Sequence, residues 1–182
     1  MARFQKKEFS EGTLSKVLRM IGRYPEGQAK SALIPVLLIA QEEMGGYLTV
    51  DIMDQIAGLL HIQPIEVYEV ATFYSMFHLE KVGRFVIEVC QTGPCAMCGG
   101  EEVLEYLKNR LQIGCNETTA DGLFTLLTVE CLGGCGEAPN LQINSEFHKQ
   151  MTPAKIDRLL ENLKASASEK KHSATTWAGL FC

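Results

Sequence analysis

The stretch Phe85-Val-Ile-Glu-Val-Cys90-Gln-Thr-Gly-Pro-Cys95 sets the architecture of the second half of the chain. Apolar side chains alternate along Phe85–Val89, which is the period-two pattern of a β-strand. The strand ends at Cys90, and a Gly-Pro loop then carries Cys95. The pattern therefore predicts a strand that delivers two thiols to one edge of a sheet.

A second stretch repeats this arrangement about forty residues later. The run Leu123–Glu130 follows an Asp-Gly turn signal and predicts another strand, which leads into Cys131-Leu-Gly-Gly-Cys135. Adjacent strand ends can bring two such loops together, and their glycines let backbone N–H groups approach inorganic sulfide. The two loops therefore predict one four-thiolate [2Fe–2S] site with the ligands Cys90, Cys95, Cys131 and Cys135. We predict no catalytic side chain.

Other uses of the cysteines stay open at this point. Four loop thiols can hold structural zinc, although zinc ribbons usually have a tighter C-x₂-C in both pairs. The segment Cys95-Ala-Met-Cys98 has the C-x-x-C spacing of a redox-active dithiol. Cys98 also completes the first three positions of plant-type ferredoxins, but that choice leaves one cysteine of the second loop without a role. Cys115 is interpreted as a small buried apolar residue, and Cys182 as a bystander.

The first half of the chain predicts four helices joined by short loops, which favours an antiparallel bundle. Helical periodicity covers Leu14–Ile21 and about 31–44, a third helix begins after Thr49, and a fourth begins at Pro64. The predicted fold class is α+β. The expected domains are a helical bundle over residues 1–80, a cluster domain over 84–164 with a closing helix after Thr152, and a disordered tail over 165–182.

Composition excludes several classes of function. A net charge of −5 argues against a broad nucleic-acid surface. The longest apolar run, Ala32–Ala40, is far too short to cross a bilayer, and we expect no direct membrane insertion. The N-terminal residues lack the apolar stretch of a signal peptide. Seven cysteines without an export signal indicate metal or redox chemistry in a reducing compartment.

Three motifs in order resemble a known family. They are Val70-Ala-Thr-Phe-Tyr-Ser-Met-Phe77, Cys90-x₄-Cys95, and Glu130-Cys-Leu-Gly-Gly-Cys-Gly-Glu-Ala-Pro139. Together they are similar to the thioredoxin-like [2Fe–2S] subunit of NADH:quinone oxidoreductase, respiratory complex I, over about residues 10–164. The resemblance implies a helical part followed by a thioredoxin-like ferredoxin domain. It also implies that the four cysteines named above match the family's cluster ligands.

The resemblance further implies a role and partners. The chain is expected to accept single electrons from the FMN of an NADH-oxidising partner subunit, within the hydrophilic arm of the complex. It carries no G-x-G-x-x-G fingerprint and no P-loop, so FMN and NADH are expected on the partner. A bacterial cytoplasmic location, peripheral to the inner membrane through the complex, is the simplest expectation.

Three other functions remain open. The first is the equivalent subunit of an NAD-dependent formate dehydrogenase or NAD-reducing hydrogenase. The second is a stand-alone [2Fe–2S] ferredoxin, and the third is a zinc-stabilised interaction module. Exposed aromatic residues in the helical half would favour a docked subunit over a free carrier, whereas residues Phe73–Phe77 could equally form the helical core.

Overall fold

The computed structural model describes residues 8–169, which divide into two compact units. The first unit runs to Lys81 and the second begins at Val82. The first consists of helices alone within its described residues. The second contains a five-stranded sheet with three α-helices and one short 3₁₀ helix within its described residues.

The four predicted helices of the first unit are confirmed. Their bounds are α1 Glu11–Ile21, α2 Leu33–Glu43, α3 Val50–Leu60 and α4 Pro64–Phe73, and a 3₁₀ helix at Ala29–Ala32 leads into α2. The helix we expected from about residue 31 thus begins as 3₁₀ and becomes α-helical two residues later.

Local sequence signals begin these helices. The Ser10 hydroxyl accepts a hydrogen bond from the backbone N–H of Thr13 at 3.3 Å, and the Thr49 hydroxyl accepts one from Ile52 N–H at 3.4 Å. Such N-caps satisfy backbone donors that have no partner within the helix. Pro64 is the first residue of α4, where its missing N–H is harmless. The caps at Thr49 and Pro64 agree with the sequence prediction.

The core of this unit forms around α2, which packs against the three other helices. Helix α2 therefore carries apolar residues on most of its circumference, as the run Ala32–Ala40 shows. The fully buried side chains of this core include Val17, Val36, Leu37, Leu48, Ile52, Ile56 and Val67. Leu18, which the helical pattern placed on the inner face of α1, is instead 52% exposed.

A buried glutamine holds the segment that follows α4. Gln41 Nε2 donates to the carbonyl of Met76 at 2.9 Å, and Gln41 Oε1 accepts from the N–H of His78 at 2.8 Å. The His78 carbonyl in turn accepts from Leu48 N–H at 2.7 Å. These bonds return the chain to the bundle and bring Phe77 into its core.

The second unit is a mixed sheet in the order β2-β3-β1-β4-β5. Its elements are β1 Phe85–Cys90, α5 Gly93–Met97, α6 Gly100–Leu111, β2 Glu117–Thr118, β3 Phe124–Val129, β4 Leu141–Ile143, β5 Glu146–His148 and α7 Pro153–Glu169. The central pair β1 and β3 is parallel, joined by the α6 crossover, whereas β4 and β5 are antiparallel to their neighbours.

Helices α6 and α7 share one hydrophobic core with the sheet. This core contains Ile87, Val89, Leu104, Leu107, Phe124, Leu126, Leu141, Ile143, Ile156 and Leu160. The two helices are also joined through Asp157, which accepts hydrogen bonds from Tyr106 Oη and Arg110 Nε at 2.8 Å each. The sheet core therefore fixes one face of β1 and β3, the two strands that carry the cysteine loops.

The predicted strand and helix order is correct, with three omissions. The sequence did not predict the two-residue strand β2, the short helix α5 inside the first cysteine loop, or a 3₁₀ helix at Cys135–Glu137 in the second loop. The predicted start of the tail at residue 165 was wrong, because α7 continues to Glu169. Alanine suits a helix, and Arg84 Nη1 donates to the Ala167 carbonyl at 3.1 Å. The rest of the predicted tail lies outside the described residues.

Candidate functional site

The two cysteine loops leave the sheet at the same edge. Strands β1 and β3 run parallel with Cys90 opposite Val129, so both of their carboxyl ends lie side by side. Gln91 N–H continues the ladder by donating to the Val129 carbonyl at 3.0 Å. The first loop carries Cys90 and Cys95, and the second carries Cys131 and Cys135. The parallel register therefore brings together the four residues that the sequence selected.

The four thiols form two pairs that differ in exposure. Cys90 and Cys95 are 2% and 1% exposed, and their thiols are hydrogen-bonded to each other. Cys131 and Cys135 are exposed, and their sulfur atoms lie 3.5 Å apart. The site thus has a buried pair, Cys90 and Cys95, next to the sheet and an open pair, Cys131 and Cys135, facing solvent.

Backbone N–H groups point at the sulfur atoms from both loops. Gly133 N–H donates to Cys131 Sγ at 3.4 Å. Burial of Cys90 opposes its ionisation, but the N–H groups of Thr92 and Leu132 and the thiol of Cys95 outweigh burial and lower the pKa of Cys90. Since Leu132 belongs to the second loop, this contact already joins the two loops around one sulfur.

Mutual repulsion acts on the other thiols. Burial raises the pKa of Cys95, assisted by the neighbouring Cys90 and Cys135 and opposed by the N–H of Asn140. The hydrogen bond and charge of Cys131 raise the pKa of Cys135, and Cys90 adds to the effect. Each thiol is therefore electrostatically linked to the opposite loop or to its own partner. A cationic metal centre would relieve this repulsion among thiolates.

Glycines allow the close approach of backbone on which the site depends. A Cβ atom at Gly100, the first residue of α6, would lie 2.8 Å from the carbonyl oxygen of Cys95 and 3.3 Å from that of Cys90. A Cβ atom at Gly134 would lie 2.3 Å from Cζ of Phe147. Only glycine fits at Gly100 without moving the first loop, and at Gly134 without moving the Phe147 ring.

The donor set fits a [2Fe–2S] cluster. Four cysteine thiolates are the ligand set of such a cluster, and Cys90, Cys95, Cys131 and Cys135 would supply them. Among residues 8–169, no group of three or more His, Cys, Asp or Glu side chains is arranged to hold a metal ion. The four thiols form the buried pair and the open pair, with backbone N–H donors beside them.

The remaining cysteines occupy other positions. Cys98 is exposed and caps the C-terminal end of α5, where its N–H donates to the carbonyl groups of Pro94 and Cys95. Cys115 is partly buried at the margin of the sheet core, so it is less buried than we expected. Cys182 lies outside the described residues.

Three contacts that hold the site together were not predicted from the sequence. Asn140 binds both loops through its side chain and backbone. Thr92 Oγ1 donates to Glu130 Oε2 across the loops at 3.5 Å, and Glu137 forms an ion pair with Lys149 at 2.7 Å. Single polar residues have no periodicity, so no pattern in the sequence could have selected them.

Two loops of paired cysteines at the edge of a small α/β sheet are typical of iron–sulfur electron carriers. Residues 17–164 match the family described as thioredoxin-like [2Fe-2S] ferredoxin, and the chain belongs to this family. The cofactor that this family carries is one [2Fe–2S] cluster.

Curated relatives share this sequence over most of its length. A subunit of the NADH-quinone oxidoreductase of Rhizobium meliloti is 43% identical over 144 residues, which cover 79% of this chain and 84% of that protein. NADH dehydrogenase [ubiquinone] flavoprotein 2, mitochondrial, of Dictyostelium discoideum is 40% identical over 163 residues. That alignment covers 90% of this chain, which spans 66% of the length of the Dictyostelium protein.

A solved structure has the same fold. The crystal structure of an NAD⁺-reducing [NiFe]-hydrogenase in the air-oxidized state superposes with a TM-score of 0.62 and 23% identity. The match covers 71% of this chain and 23% of that chain, and at this identity it supports the fold alone. Within residues 8–169 of the present chain, no helix is both long and apolar enough to cross a membrane.

Proposed function

We propose that Cys90, Cys95, Cys131 and Cys135 ligate one [2Fe–2S] cluster and that the chain accepts single electrons from the flavin of an NADH-oxidising partner. The observation that carries this proposal is the meeting of two cysteine pairs from two parallel strand ends. When bound, the cluster supplies a one-electron acceptor, whereas NADH releases two electrons together as hydride.

The residues of this chain hold the ligands and set their surroundings. The rigid sheet core fixes the buried pair, and the glycine-rich second loop presents the open pair towards solvent. Backbone N–H groups beside Cys90, Cys95 and Cys131 favour negative charge on sulfur. Since electron transfer weakens steeply with distance, the open pair marks the side that a redox partner would approach.

The proposed assembly is NADH:quinone oxidoreductase. Its support is the relatives named above, at about 40% identity over most of the chain. The flavin- and NADH-binding subunit would be the direct partner, and other subunits of the hydrophilic arm would surround it. In a bacterium, such an assembly would hold the chain on the cytoplasmic side, peripheral to the inner membrane.

The first experiment is electron paramagnetic resonance on anaerobically purified, dithionite-reduced protein, with iron, sulfide and zinc measured on the same sample. We expect a rhombic spin-half signal with about two irons and two sulfides per chain. A silent spectrum with one zinc per chain would overturn the electron-carrier function and leave a structural zinc module.

Single Cys→Ser variants test the ligand set. Substitution at Cys90, Cys95, Cys131 or Cys135 should lower iron content or change the g-values. Cys98→Ser and Cys115→Ser are matched controls that should keep the wild-type signal. A Cys98→Ser variant that lost the cluster while Cys131→Ser or Cys135→Ser kept it unchanged would replace our ligand set with the plant-type one.

Purification from native membranes tests the assembly. We expect the chain to co-migrate with a flavoprotein that oxidises NADH and reduces quinone. Co-migration with a hydrogenase or a formate dehydrogenase would keep the electron-carrier function and reject complex I. Migration as a free monomer would reject subunit membership altogether.

A further inference from the structure

Asn140 lies between the two cysteine loops, one residue before β4. It is neither a candidate ligand nor part of the motifs that identify the cysteine loops. The residue is only 1% exposed, which is rare for an asparagine and requires that its polar groups be used.

Three polar groups of Asn140 contact the two loops. Its side-chain Nδ2 donates to the carbonyl of Gly134 at 2.6 Å in the second loop. Its backbone carbonyl accepts from Cys90 N–H at 3.2 Å, and its backbone N–H donates to the thiol of Cys95. One residue therefore touches the backbone or sulfur of both buried cysteines and holds the loop that carries the open pair.

Gly134 is enclosed from two sides by these contacts. A Cβ atom built on Gly134 would lie 3.0 Å from Asn140 Nδ2 and 2.9 Å or less from the ring of Phe147. The segment between Cys131 and Cys135 is thus confined between an amide and an aromatic ring. Its position relative to the buried pair depends on the Asn140 side chain.

The other polar atom of the side chain is left without a partner. Within the described residues, Asn140 Oδ1 is buried and accepts no hydrogen bond. Such an oxygen disfavours the folded state, so the side chain does not contribute as much stability as a fully bonded amide. A contribution to folding stability therefore does not by itself explain why this residue is an asparagine.

We propose that Asn140 is a positioning residue of the cluster site. It sets the separation of the two cysteine pairs through the hydrogen bond from its side-chain Nδ2 to the Gly134 carbonyl. This inference rests on the proposed ligand set and adds to it a residue that acts through the ligands.

Asn144 provides a matched control at the opposite end of β4. Its Oδ1 accepts from Val86 N–H at 2.9 Å, and its Nδ2 donates to the Arg84 carbonyl at 3.2 Å. The two asparagines therefore flank the same three-residue strand and both bind the region of β1. Only Asn140 reaches the cysteine loops.

The test compares Asn140→Ala with Asn144→Ala in the full-length, cluster-loaded chain. We expect Asn140→Ala to shift the g-values and to release iron to a chelator on the order of tenfold faster than wild type. Asn144→Ala should keep the wild-type g-values and release rate, even where its thermal unfolding midpoint falls as far or further.

Wild-type g-values and release rates in both variants would overturn the proposal, as would equal changes in both. If Asn140→Ala does not fold, Asn140→Asp is measured instead, because it keeps the volume but cannot donate to Gly134. Its added charge should also make the midpoint potential more negative, and an unchanged signal and release rate there would overturn the proposal. A wild-type chain without a two-iron signal would reject the proposed function itself.

Discussion

Gly100→Ala is the substitution that tests most directly how the fold supports the site. Gly100 begins α6, and the added Cβ would meet the Cys95 carbonyl oxygen at 2.8 Å and carbon at 3.0 Å. Ordinary contacts of this kind begin near 3.4 Å, so the overlap is about 0.6 Å. The obstructing atoms are backbone, which cannot rotate away as the end of a flexible side chain can.

The expected cost follows from this overlap. Overpacking of a well-filled site costs about 1–3 kcal/mol. Alanine recovers up to about 1 kcal/mol in a helix interior, and less at the first helical residue. We therefore expect a net loss of about 1–2 kcal/mol in the free energy of unfolding, or roughly 4–16 °C in the midpoint for a domain of this size.

Gly93→Ala is the control, because a Cβ there has nothing within 4 Å. Both variants and the wild type would be compared by thermal unfolding and by iron content after anaerobic purification. Gly100→Ala should lose stability and iron, since α6 must move relative to the backbone of the buried cysteine pair. If it matched Gly93→Ala in both measurements, the close packing of α6 against the first loop would not be required, and the reasoning would be wrong.

Three further predictions concern other contacts. Gly134→Ala should displace the Phe147 ring and lower iron retention. Gly136→Ala is the control, because a Cβ atom there has nothing within 4 Å, and it should retain iron as the wild type does. Equal iron retention by the two variants in a chelator assay would contradict this prediction. Gln41→Leu should lower the free energy of unfolding by about 1–3 kcal/mol in denaturant titrations, because two backbone groups lose their partner; an unchanged midpoint would show that water replaces both bonds. Burial lowers the pKa of His78 below its usual 6.5, so the unfolded chain takes up that proton first as the pH falls. The stability that depends on a neutral His78 is therefore present above about pH 6.5 and is lost as the pH falls below it. His78→Phe should show a smaller fall in the free energy of unfolding between about pH 7.5 and pH 5.5 than the wild type. Parallel slopes for variant and wild type would reject this assignment.

The aromatic motif in the helical unit shows where sequence reasoning stopped. Residues Phe73–Phe77 fitted both a helix core and a docking surface. The structure divides them. Helix α4 ends at Phe73, which is 80% exposed and makes a T-shaped ring contact with Tyr74, whereas Phe77 is buried. The division depends on Tyr74, which adopts an extended backbone and returns the chain towards Gln41. The hydrophobic pattern of the sequence does not predict that change of chain direction.

The strongest sequence predictions rested on local chemistry. The cap at Thr49, the start of α4 at Pro64 and the strand ending at Cys90 are each decided by a residue's own backbone preferences and its nearest neighbours. The weakest rested on the ends of patterns. The tail was expected from residue 165 because polar residues dominate there, but α7 persists because alanine and serine continue a helix that already exists.

Consecutive residues were enough to predict the order of the longer helices and strands and the helix starts at Thr49 and Pro64, and to select four cysteines as candidate ligands. Those features follow from spacing, because periodicity and loop chemistry are local properties of the chain. Three others arise only in the folded molecule: the parallel register that joins β1 to β3, the division into a buried and an open cysteine pair, and the position of Asn140 between the loops. These depend on residues far apart in the chain, and their contacts exist only once the sheet has brought the strand ends together.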